Sequence, residues 1–509
     1  MLIVAAFAVA MFAILTRNVF HHPPTYDELL HVLAARGLVE TGEPTIADGT
    51  YDRAEFYTRA VALATGFVGD ELVAARAPAW LAALILVALV GAWTARRAGL
   101  FAGFAAGGLL AINSWTIDLA VFARFYTLHA LAIFVAFVCV YETIAIGRRA
   151  LVATAYAAVA AVALALAWHL QITTVIAIGA LGLGILAGLA ADRRDIAFRM
   201  IARYPAQFAV ACIAVLVGAV LVIHQFDLLQ TFRETPLWSA GAADRLNYYN
   251  GALAKDIPLF WPLVPFAVLG ACLVHPRMAW TLAVITATAL LVHSLAAPKS
   301  TRYVYYCLPF VCILLGCGLS MSFSFLTESF TRRWPMLGRM APVLVLAAFG
   351  VSFAASQEGY RTARLLLGLD PYSKVLAYGD ETSWSSARAV LSPLAAAADA
   401  IVTSNAMKAI YYLGRYDYEL NASTVPETDT GTEFGIDART GGRAISAPQS
   451  LVRLLSTQKR VLIIAETEKV GLEHGVPAST AAVAREQCGA IGVPEAARIT
   501  VWWCPREER

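Results

Sequence analysis

The stretch Pro23-Pro24-Thr25-Tyr26-Asp27-Glu28 follows an apolar segment that starts at the first residue of the chain. It places two adjacent carboxylates just beyond this segment, and a short amphipathic helix is predicted to continue from them and to end at Gly37. An acid at a membrane surface, at the mouth of a helical bundle, suggests chemistry on a lipid-borne substrate. The alternative is a helix cap, because an aspartate early in a helix satisfies unpaired N–H groups and complements the helix dipole.

The composition decides the class of protein. Hydrophobic residues make up 59% of the chain and charged residues 15%, and the mean hydropathy is +0.64. Most of the chain is therefore predicted to lie in lipid, as an α-helical polytopic membrane protein. The net charge is only +3, and no nucleic-acid partner is expected.

About eleven apolar segments approach the roughly 20 residues that a bilayer core requires. The first has no basic n-region and no small-residue cleavage site, so a cleavable signal peptide is not expected. The predicted spans are 1–20, 75–95, 100–117, 125–146, 150–168, 172–190, 205–224, 259–275, 278–297, 303–321 and 341–356.

The loops between these segments alternate in charge. Every second loop is rich in arginine, beginning with Arg96-Arg97 and ending with Arg332-Arg333 and Arg339. The positive-inside rule assigns these loops to the cytoplasm. The prediction is a multi-pass protein of a bacterial inner membrane, with a cytoplasmic N-terminus and an extracytoplasmic C-terminal region.

The composition changes after about residue 357. Apolar runs shorten, and strand patterns at 399–404, 460–465 and 497–503 alternate with helical stretches. The domains are therefore predicted as a transmembrane domain over 1–356, whose outer loop 21–74 carries juxtamembrane helices, and an extracytoplasmic α/β domain over 357–509. Neither of the first two strands is followed by a glycine-rich phosphate fingerprint, so no nucleotide cofactor is expected.

The cysteines fall into two groups. Six lie inside apolar runs and are interpreted as small core residues, whereas Cys488 and Cys504 lie in polar surroundings. Outside the membrane these two are predicted to form a disulfide, contributing roughly 3 kcal/mol through loop closure. Two unrelated free thiols are the alternative.

Several motifs over residues 1–320 resemble those of the GT-C-type membrane glycosyltransferases, and in particular the protein mannosyltransferase and lipid A aminoarabinose transferase group. Tyr26-Asp27-Glu28, with the turn Gly42-Glu43-Pro44, matches the family pattern after the first span. Ala75-Arg76-Ala77-Pro78 resembles a family motif at the second span. Tyr51-Asp52-Arg53 corresponds approximately to a later aromatic-acid-Lys-Pro stretch of the family. The match is looser, because Arg replaces Lys and Ala54-Glu55 replaces the proline pair. Ala123-Arg124-Phe125-Tyr126 and Arg302-Tyr303 also fit.

The resemblance implies transfer of a sugar from a polyprenyl phosphate to an acceptor outside the cytoplasmic membrane, by a protein expected to act as a monomer. Asp27 is the candidate base, which predicts inversion at the anomeric carbon, and Glu28 is expected to position substrate or metal. The candidate catalytic residues are Asp27, Glu28 and Asp52. The candidates for binding the lipid phosphate are Arg53, Arg124, Tyr126, Lys299, Arg302 and Tyr303, whose cations suit phosphate oxygens. A divalent metal is a further possibility, with Glu28, Asp52 and His169 as candidate ligands.

Two other functions stay open at this point. A flippase or transporter for lipid-linked sugars would also need an apolar bundle with a polar cavity, although it should show mid-span polar residues and inverted repeats. A polysaccharide ligase or polymerase would share the fold and the outer arginines but would use a lipid diphosphate.

Overall fold

The computed structural model describes residues 1–17, 20, 22–145, 150–192, 247–295, 299–333, 340–367, 384–420, 434–437, 439–472 and 475–505. The chain forms two compact units. The first contains 1–18, 79–121 and 125–370, and the second contains 19–78, 122–124 and 371–509. The second unit thus groups most of the predicted outer loop with the residues of the predicted C-terminal domain. The predicted boundary at 357 stays a prediction.

The first unit is helical in all of its long described segments. Apolar composition drives this, since a backbone in lipid must satisfy its own hydrogen bonds. Its helices are α1 (Leu2–Thr16), the greater part of α4 (Glu71–Ala98), α5 (Leu100–Ile112), α6 (Ser114–Ala120), α7 (Tyr126–Val140), α8 (Ala150–Leu170), α9 (Thr174–Asp192), α10 (Tyr248–Asp256), α11 (Val264–Val274), α12 (Pro276–Leu295), α13 (Thr301–Val304), α14 (Leu308–Arg333), α15 (Ala341–Ala354) and α16 (Gln357–Leu367).

Six of the described helices are long and apolar enough to span a membrane, or up to nine if each bent pair counts as one span. The predicted spans 100–117 and 341–356 each fall on such a pair, bent by 59° between α5 and α6 and by 79° between α15 and α16. Helix α1 has only 15 residues. The predicted span 205–224 lies outside the described residues. The polytopic helical class is confirmed, whereas the number eleven stays a prediction.

In the first unit α14 packs against α5, α11 and α12, and the other main pairings are α1 with α5, α9 with α12 and α7 with α8. Beside them is a cavity of about 990 Å³, lined almost entirely by apolar side chains of α1, α5, α14 and α15. Phe104, Phe323 and Phe349 are among its lining residues.

The N-terminal part of the second unit is built on α2 (Tyr26–Thr41), a two-stranded antiparallel hairpin of β1 (Thr45–Ile46) and β2 (Gly49–Thr50), and α3 (Glu55–Thr65). The predicted end of α2 at Gly37 is wrong. The helix continues to Thr41 and ends at Gly42, whose φ of 85° suits glycine. A Cβ at Gly37 would lie 2.2 Å from the carbonyl oxygen of Thr45, so this glycine permits close approach of the hairpin.

The remainder of the second unit is a seven-stranded sheet in the order β5-β6-β4-β3-β7-β9-β8. The four central strands β6, β4, β3 and β7 are parallel to one another. Strand β5 pairs antiparallel with β6, β9 with β7, and β8 with β9. The strands and their helices are α17 (Trp384–Ala397), β3 (Ala400–Thr403), α18 (Ala406–Leu413), β4 (Tyr418–Leu420), β5 (Gly435–Ile436), β6 (Arg443–Ile445), α19 (Pro448–Thr457), β7 (Arg460–Glu466), α20 (Ala478–Gln487), β8 (Gly489–Ile491) and β9 (Ile499–Pro505).

The predicted α/β region is confirmed. The strand–cap–helix pattern after residue 399 corresponds to β3, the N-cap Asn405 and α18, which ends at Gly414. The predicted second and closing strands are β7 and β9, which pair antiparallel. Both faces of the sheet are covered by apolar clusters, in keeping with buried parallel strands. The predicted disulfide between Cys488 and Cys504 is present and joins the residue after α20 to β9.

Candidate active site

The first turn of α2 is closed by a capping box. The side chain of Thr25 accepts a hydrogen bond from the Glu28 backbone, and the Glu28 carboxylate accepts one from the Thr25 backbone. The residue that caps this helix is therefore Thr25, and the hypothesis that Asp27 is the cap is wrong. Asp27 is the second residue of the helix and is half-buried.

Glu28 is fully buried, and its carboxylate is surrounded by donors. Arg76, also fully buried, donates from Nε to Oε1 at 2.8 Å and from Nη2 to Oε2 at 3.1 Å. The backbone N–H groups of Thr25 and Ala123 donate to the same carboxylate at 2.9 and 3.0 Å. Glu28 therefore ties the start of α2, the start of α4 and residues 122–124 to one another.

Burial alone would raise the pKa of Glu28. The charge of Arg76 and of His22, with the hydrogen bonds from Arg76 and Thr25, outweighs burial and holds the pKa below its ordinary value. Glu28 is therefore ionised, as a buried carboxylate with this many donors is expected to be.

Arg124 connects Asp27 to Tyr51, the first residue of the Tyr51-Asp52-Arg53 motif. Its guanidinium is buried and donates from Nη1 to the backbone carbonyl of Asp27 at 3.2 Å and to the hydroxyl of Tyr51 at 3.1 Å. The two residues after Tyr51, Asp52 and Arg53, are exposed in the connection between β2 and α3. The structure thus brings Asp27, Glu28 and Arg124 together around the first turn of α2.

His31 lies one turn further along α2. It is buried, its Nδ1 is 2.9 Å from the hydroxyl of Thr58, and its ring makes edge contacts with Tyr51 and Tyr57. Burial lowers its pKa well below the ordinary value, and the charges of Arg124 and Arg53 act in the same direction. His31 is therefore neutral, and it packs against Tyr51, the tyrosine whose hydroxyl accepts a hydrogen bond from Arg124.

The other predicted phosphate-binding residues lie in the first unit. The guanidinium of Arg302, in α13, is 5.6 Å from the ring centroids of both Tyr126 and Tyr303. Lys299 is buried just before α13, and the backbone N–H of Ser300 donates to the hydroxyl of Tyr249 at 3.3 Å. The structure therefore brings Arg302 together with two of its predicted partners.

No protein-family model matches the chain, and no curated protein matches it by sequence. Solved structures do match. ArnT from Cupriavidus metallidurans in the apo state is 13% identical, with a TM-score of 0.60, over 99% of this chain and 97% of that one. The same protein bound to undecaprenyl phosphate is 14% identical, with a TM-score of 0.58 over the same shares. The Archaeoglobus fulgidus oligosaccharyltransferase in complex with Zn and sulfate is 12% identical, with a TM-score of 0.55, over 92% of this chain and 68% of that one.

The fold is that of the GT-C membrane glycosyltransferases. The resemblance inferred from the motifs of residues 1–320 is therefore confirmed for the fold, and it extends beyond those residues to nearly the whole chain.

The metal prediction for this GT-C fold receives no support from clustering of ligands. Among the described residues there is no group of three or more His, Cys, Asp or Glu side chains that could hold an ion. Of the predicted ligands, Glu28 is engaged with Arg76, whereas Asp52 and His169 are exposed. A metal in this site stays a prediction.

Sequence reasoning did not assign a role to Arg76 or to Tyr51. The signal for Arg76 was present, because a lone arginine at the start of an apolar span is costly unless it has a partner. For Tyr51 the sequence has no such signal, and the roles were predicted for its neighbours Asp52 and Arg53. The tyrosine is nevertheless the member of that motif whose contact with Arg124 the structure shows.

Proposed function

We propose that the protein is a glycosyltransferase that moves a sugar from a polyprenyl-phosphate donor to a cell-envelope acceptor on the outer face of the cytoplasmic membrane. The acceptor is a glycolipid, a polysaccharide or a protein. The observation that carries this proposal is the first turn of α2, where Asp27 is half-buried beside a neighbour, Glu28, that is committed to Arg76.

The two carboxylates differ in what they can do. Glu28 is ionised and surrounded by four donated hydrogen bonds, so it stabilises the site and is poorly placed to accept a proton. Successive helical residues point about 100° apart, so Asp27 faces a different direction. We assign Asp27 as the general base.

The reaction is a single displacement. The acceptor hydroxyl attacks the anomeric carbon as its proton passes to the carboxylate of Asp27, and the bond between this carbon and the phosphate oxygen breaks. Polyprenyl phosphate leaves with the bonding electron pair, and the configuration at the anomeric carbon inverts. An alcohol is a poor nucleophile and gains from a base within hydrogen-bond reach, whereas the phosphate needs neutralisation of charge.

The phosphate is assigned to the arginines. The guanidinium of Arg302 lies 5.6 Å from the ring centroids of two tyrosines, and a planar guanidinium fork matches phosphate oxygens. In the first unit Lys299 is proposed as a further cation for the phosphate, with Tyr126 and Tyr303 as ring supports of Arg302. Arg53 and Arg124, in the second unit, stay candidates for the same role on the sequence alone. ArnT binds undecaprenyl phosphate in its solved structure, which supports a lipid phosphate as donor here.

The apolar cavity of the first unit is proposed to hold the polyprenyl chain. Its volume of about 990 Å³ is at the upper end of the range for small-molecule pockets, and its lining contains aromatic side chains on α1, α5, α14 and α15. A lining that is almost entirely apolar suits a long hydrocarbon chain rather than a sugar.

The direct test is an assay with the purified full-length protein and lipid-linked sugar donors. We expect release of polyprenyl phosphate and formation of a glycoside with inverted configuration, read by NMR of the product. Turnover only with a lipid diphosphate would favour the ligase or polymerase. Transport of the donor across a vesicle membrane without cleavage would favour the flippase.

The lipid cavity has a test of its own. A Cβ at Gly108 would make only ordinary contact with the side chain of Met11, at 3.6 Å, so Gly108→Leu places a side chain in the cavity without a backbone clash. We expect about a tenfold higher KM for a long-chain donor and an unchanged KM for a donor with a short lipid chain. Gly350→Leu is the matched control, since a Cβ there meets open space and Gly350 does not line the cavity. Equal effects of the two variants would contradict this assignment.

A further inference from the structure

The β5–β6 turn of the second unit is in contact with the β1–β2 hairpin. The backbone N–H of Asp48 donates to the carbonyl of Thr440 at 2.9 Å. A Cβ at Gly49 would lie 2.4 Å from the carbonyl oxygen of Arg439, so only a glycine allows the two backbones to approach this closely. Residues 439–441 are therefore held against the hairpin that follows α2.

Arg439 connects this turn to α2. Its Nε and Nη2 donate to the carboxylate of Asp437 at 2.9 and 2.8 Å, and Nη2 is 3.5 Å from the carboxylate of Glu419. Its guanidinium carbon lies 5.4 Å from the ring centroid of Tyr26. One cation thus contacts two carboxyl groups of the sheet region and the residue directly before Asp27.

Tyr26 makes this contact with its ring and not with its hydroxyl. Its phenol oxygen is buried and has no hydrogen-bond partner among the residues that the structure describes. Burial raises the pKa of Tyr26 well above its ordinary value, so the side chain is a neutral phenol. The ring contact with Arg439 is accordingly an important restraint on its position, since no hydrogen bond of the hydroxyl supplies one within the described residues.

The charged and titratable groups around Arg439 come from four segments. Tyr26 and Asp27 belong to α2, Glu419 to β4, and Asp437 to the β5–β6 turn. Lys469, which follows β7, adds a further positive charge near Glu419. The hydroxyl of Tyr416 hydrogen-bonds to the hydroxyl of Thr440 in the turn.

We propose that Arg439 is a positioning residue for the transfer reaction: through the ring of Tyr26 it fixes the first turn of α2 and with it the carboxylate of Asp27. This inference rests on the proposed role of Asp27 as the base. A base must be held within about 0.5 Å of its productive position, and a displacement of about 1 Å can cost on the order of 100-fold in rate. A contact to the side chain next to the base is well placed to supply this restraint.

The test is a double-mutant cycle on the full-length protein with Arg439→Lys and Asp27→Asn. Lysine keeps the charge but loses the planar fork that bridges Asp437 and lies over Tyr26. We expect Arg439→Lys to lower kcat about tenfold with little change in donor KM. In the Asp27→Asn background the same change should have no further effect on the residual rate, because the base that Arg439 positions is gone.

Arg443→Lys is the matched control. Arg443 is on β6, and its guanidinium lies near the rings of Tyr418 and Phe434 and donates a hydrogen bond to the Tyr418 hydroxyl. Its kcat should stay within twofold of the wild type. If Arg439→Lys does not give folded protein, Tyr26→Leu replaces it in the cycle, with the same expected result.

The outcomes separate the two proposals. A tenfold loss that persists in the Asp27→Asn background would show that Arg439 acts only on the stability of the fold, and it would overturn the positioning role. A wild-type kcat of Arg439→Lys, with Asp27→Asn inactive, would also overturn the positioning role. Wild-type turnover by Asp27→Asn itself would instead overturn the proposed function.

Discussion

Two clusters of the second unit each combine a buried glutamate with an arginine, and the pKa of the glutamate is shifted in opposite directions in the two. In the first, one carboxylate, Glu28, receives two hydrogen bonds from Arg76 and two from backbone N–H groups. In the second, two carboxyl groups, Glu419 and Asp437, contact one guanidinium, that of Arg439. The pKa of Glu28 lies below its ordinary value, whereas burial, assisted by the hydrogen bond to Asp437, raises the pKa of Glu419 to about 8.

Both glutamates are buried, and their partners differ: Glu28 accepts four hydrogen bonds, whereas Glu419 shares Arg439 with Asp437. A surplus of donors stabilises the ionised form, and a shared cation leaves one carboxyl group protonated. The first cluster is therefore suited to anchoring segments of the chain at any ordinary pH. In the second, burial raises the pKa of Glu419 to about 8, so we expect this carboxyl group to hold a proton near neutrality and to lose it under alkaline conditions.

Removing Glu28 should have the largest effect on stability. Glu28→Ala leaves Arg76 buried without its carboxylate, and breaking a buried pair in this way costs about 3–5 kcal/mol. Glu71→Ala is the matched control, because the Arg36–Glu71 pair also joins α2 to α4 but its side chains are 33% and 30% exposed. Such a pair contributes about 0–1 kcal/mol. Thermal unfolding in detergent measures both variants, and equal losses would contradict the anchoring role of Glu28.

The pH dependence of stability should have opposite signs in the two clusters. The pKa of Glu419 is raised from 4.5 to about 8 on folding, so the folded state holds an extra proton and stability falls as the pH rises between these values. Glu28 contributes stability above its unfolded value of 4.5 and loses it as the pH falls through its lower folded pKa. Glu419→Gln should therefore remove a loss on the order of 2–4 kcal/mol between pH 5 and pH 8.

The check is the melting temperature of the wild type and of Glu419→Gln across this range of pH. The wild type should lose stability relative to the variant as the pH rises. A constant difference between the two proteins would show that Glu419 does not hold the proton.

Arg302 offers a smaller effect and a contrast with both clusters, because its guanidinium lies over two tyrosine rings. Arg302→Ala should lower kcat/KM for the donor by about 10- to 100-fold, equivalent to about 1.4–2.7 kcal/mol for the loss of a charge-assisted contact. Arg302→Lys should restore part of this, since the charge returns without the fork. Donor kinetics of the alanine variant equal to those of the wild type would remove Arg302 from the phosphate site.

The sequence was sufficient for features that depend on local patterns. Hydropathy predicted the polytopic helical class, and the order of apolar runs and turn residues around 399–414 correctly predicted β3, its cap and α18. The pairing of Cys488 with Cys504 also followed from their setting. Contacts between segments that are distant in the sequence could not be predicted from local patterns. The end of α2 was misplaced because Gly37 is required by the approach of Thr45 rather than by a helix stop.

The candidate site shows the same division. Tyr26-Asp27-Glu28 marked the correct turn, but nothing local shows that Glu28 would pair with Arg76, 48 residues away. The contact of Arg439 with Tyr26 joins segments more than 400 residues apart and has no local signal at all.

The most direct test of the account is the rate of sugar transfer by Asp27→Asn and Glu28→Gln, each measured per folded molecule on a polyprenyl-phosphate sugar. Asparagine keeps the shape of Asp27 and removes the base, so turnover should fall by about 100-fold or more while melting temperature and lipid binding stay unchanged. Glu28→Gln should lower turnover less and should lower the melting temperature instead. If Asp27→Asn turns over like the wild type, Asp27 is not the base, and Asp52 or Glu55 must be tested in its place.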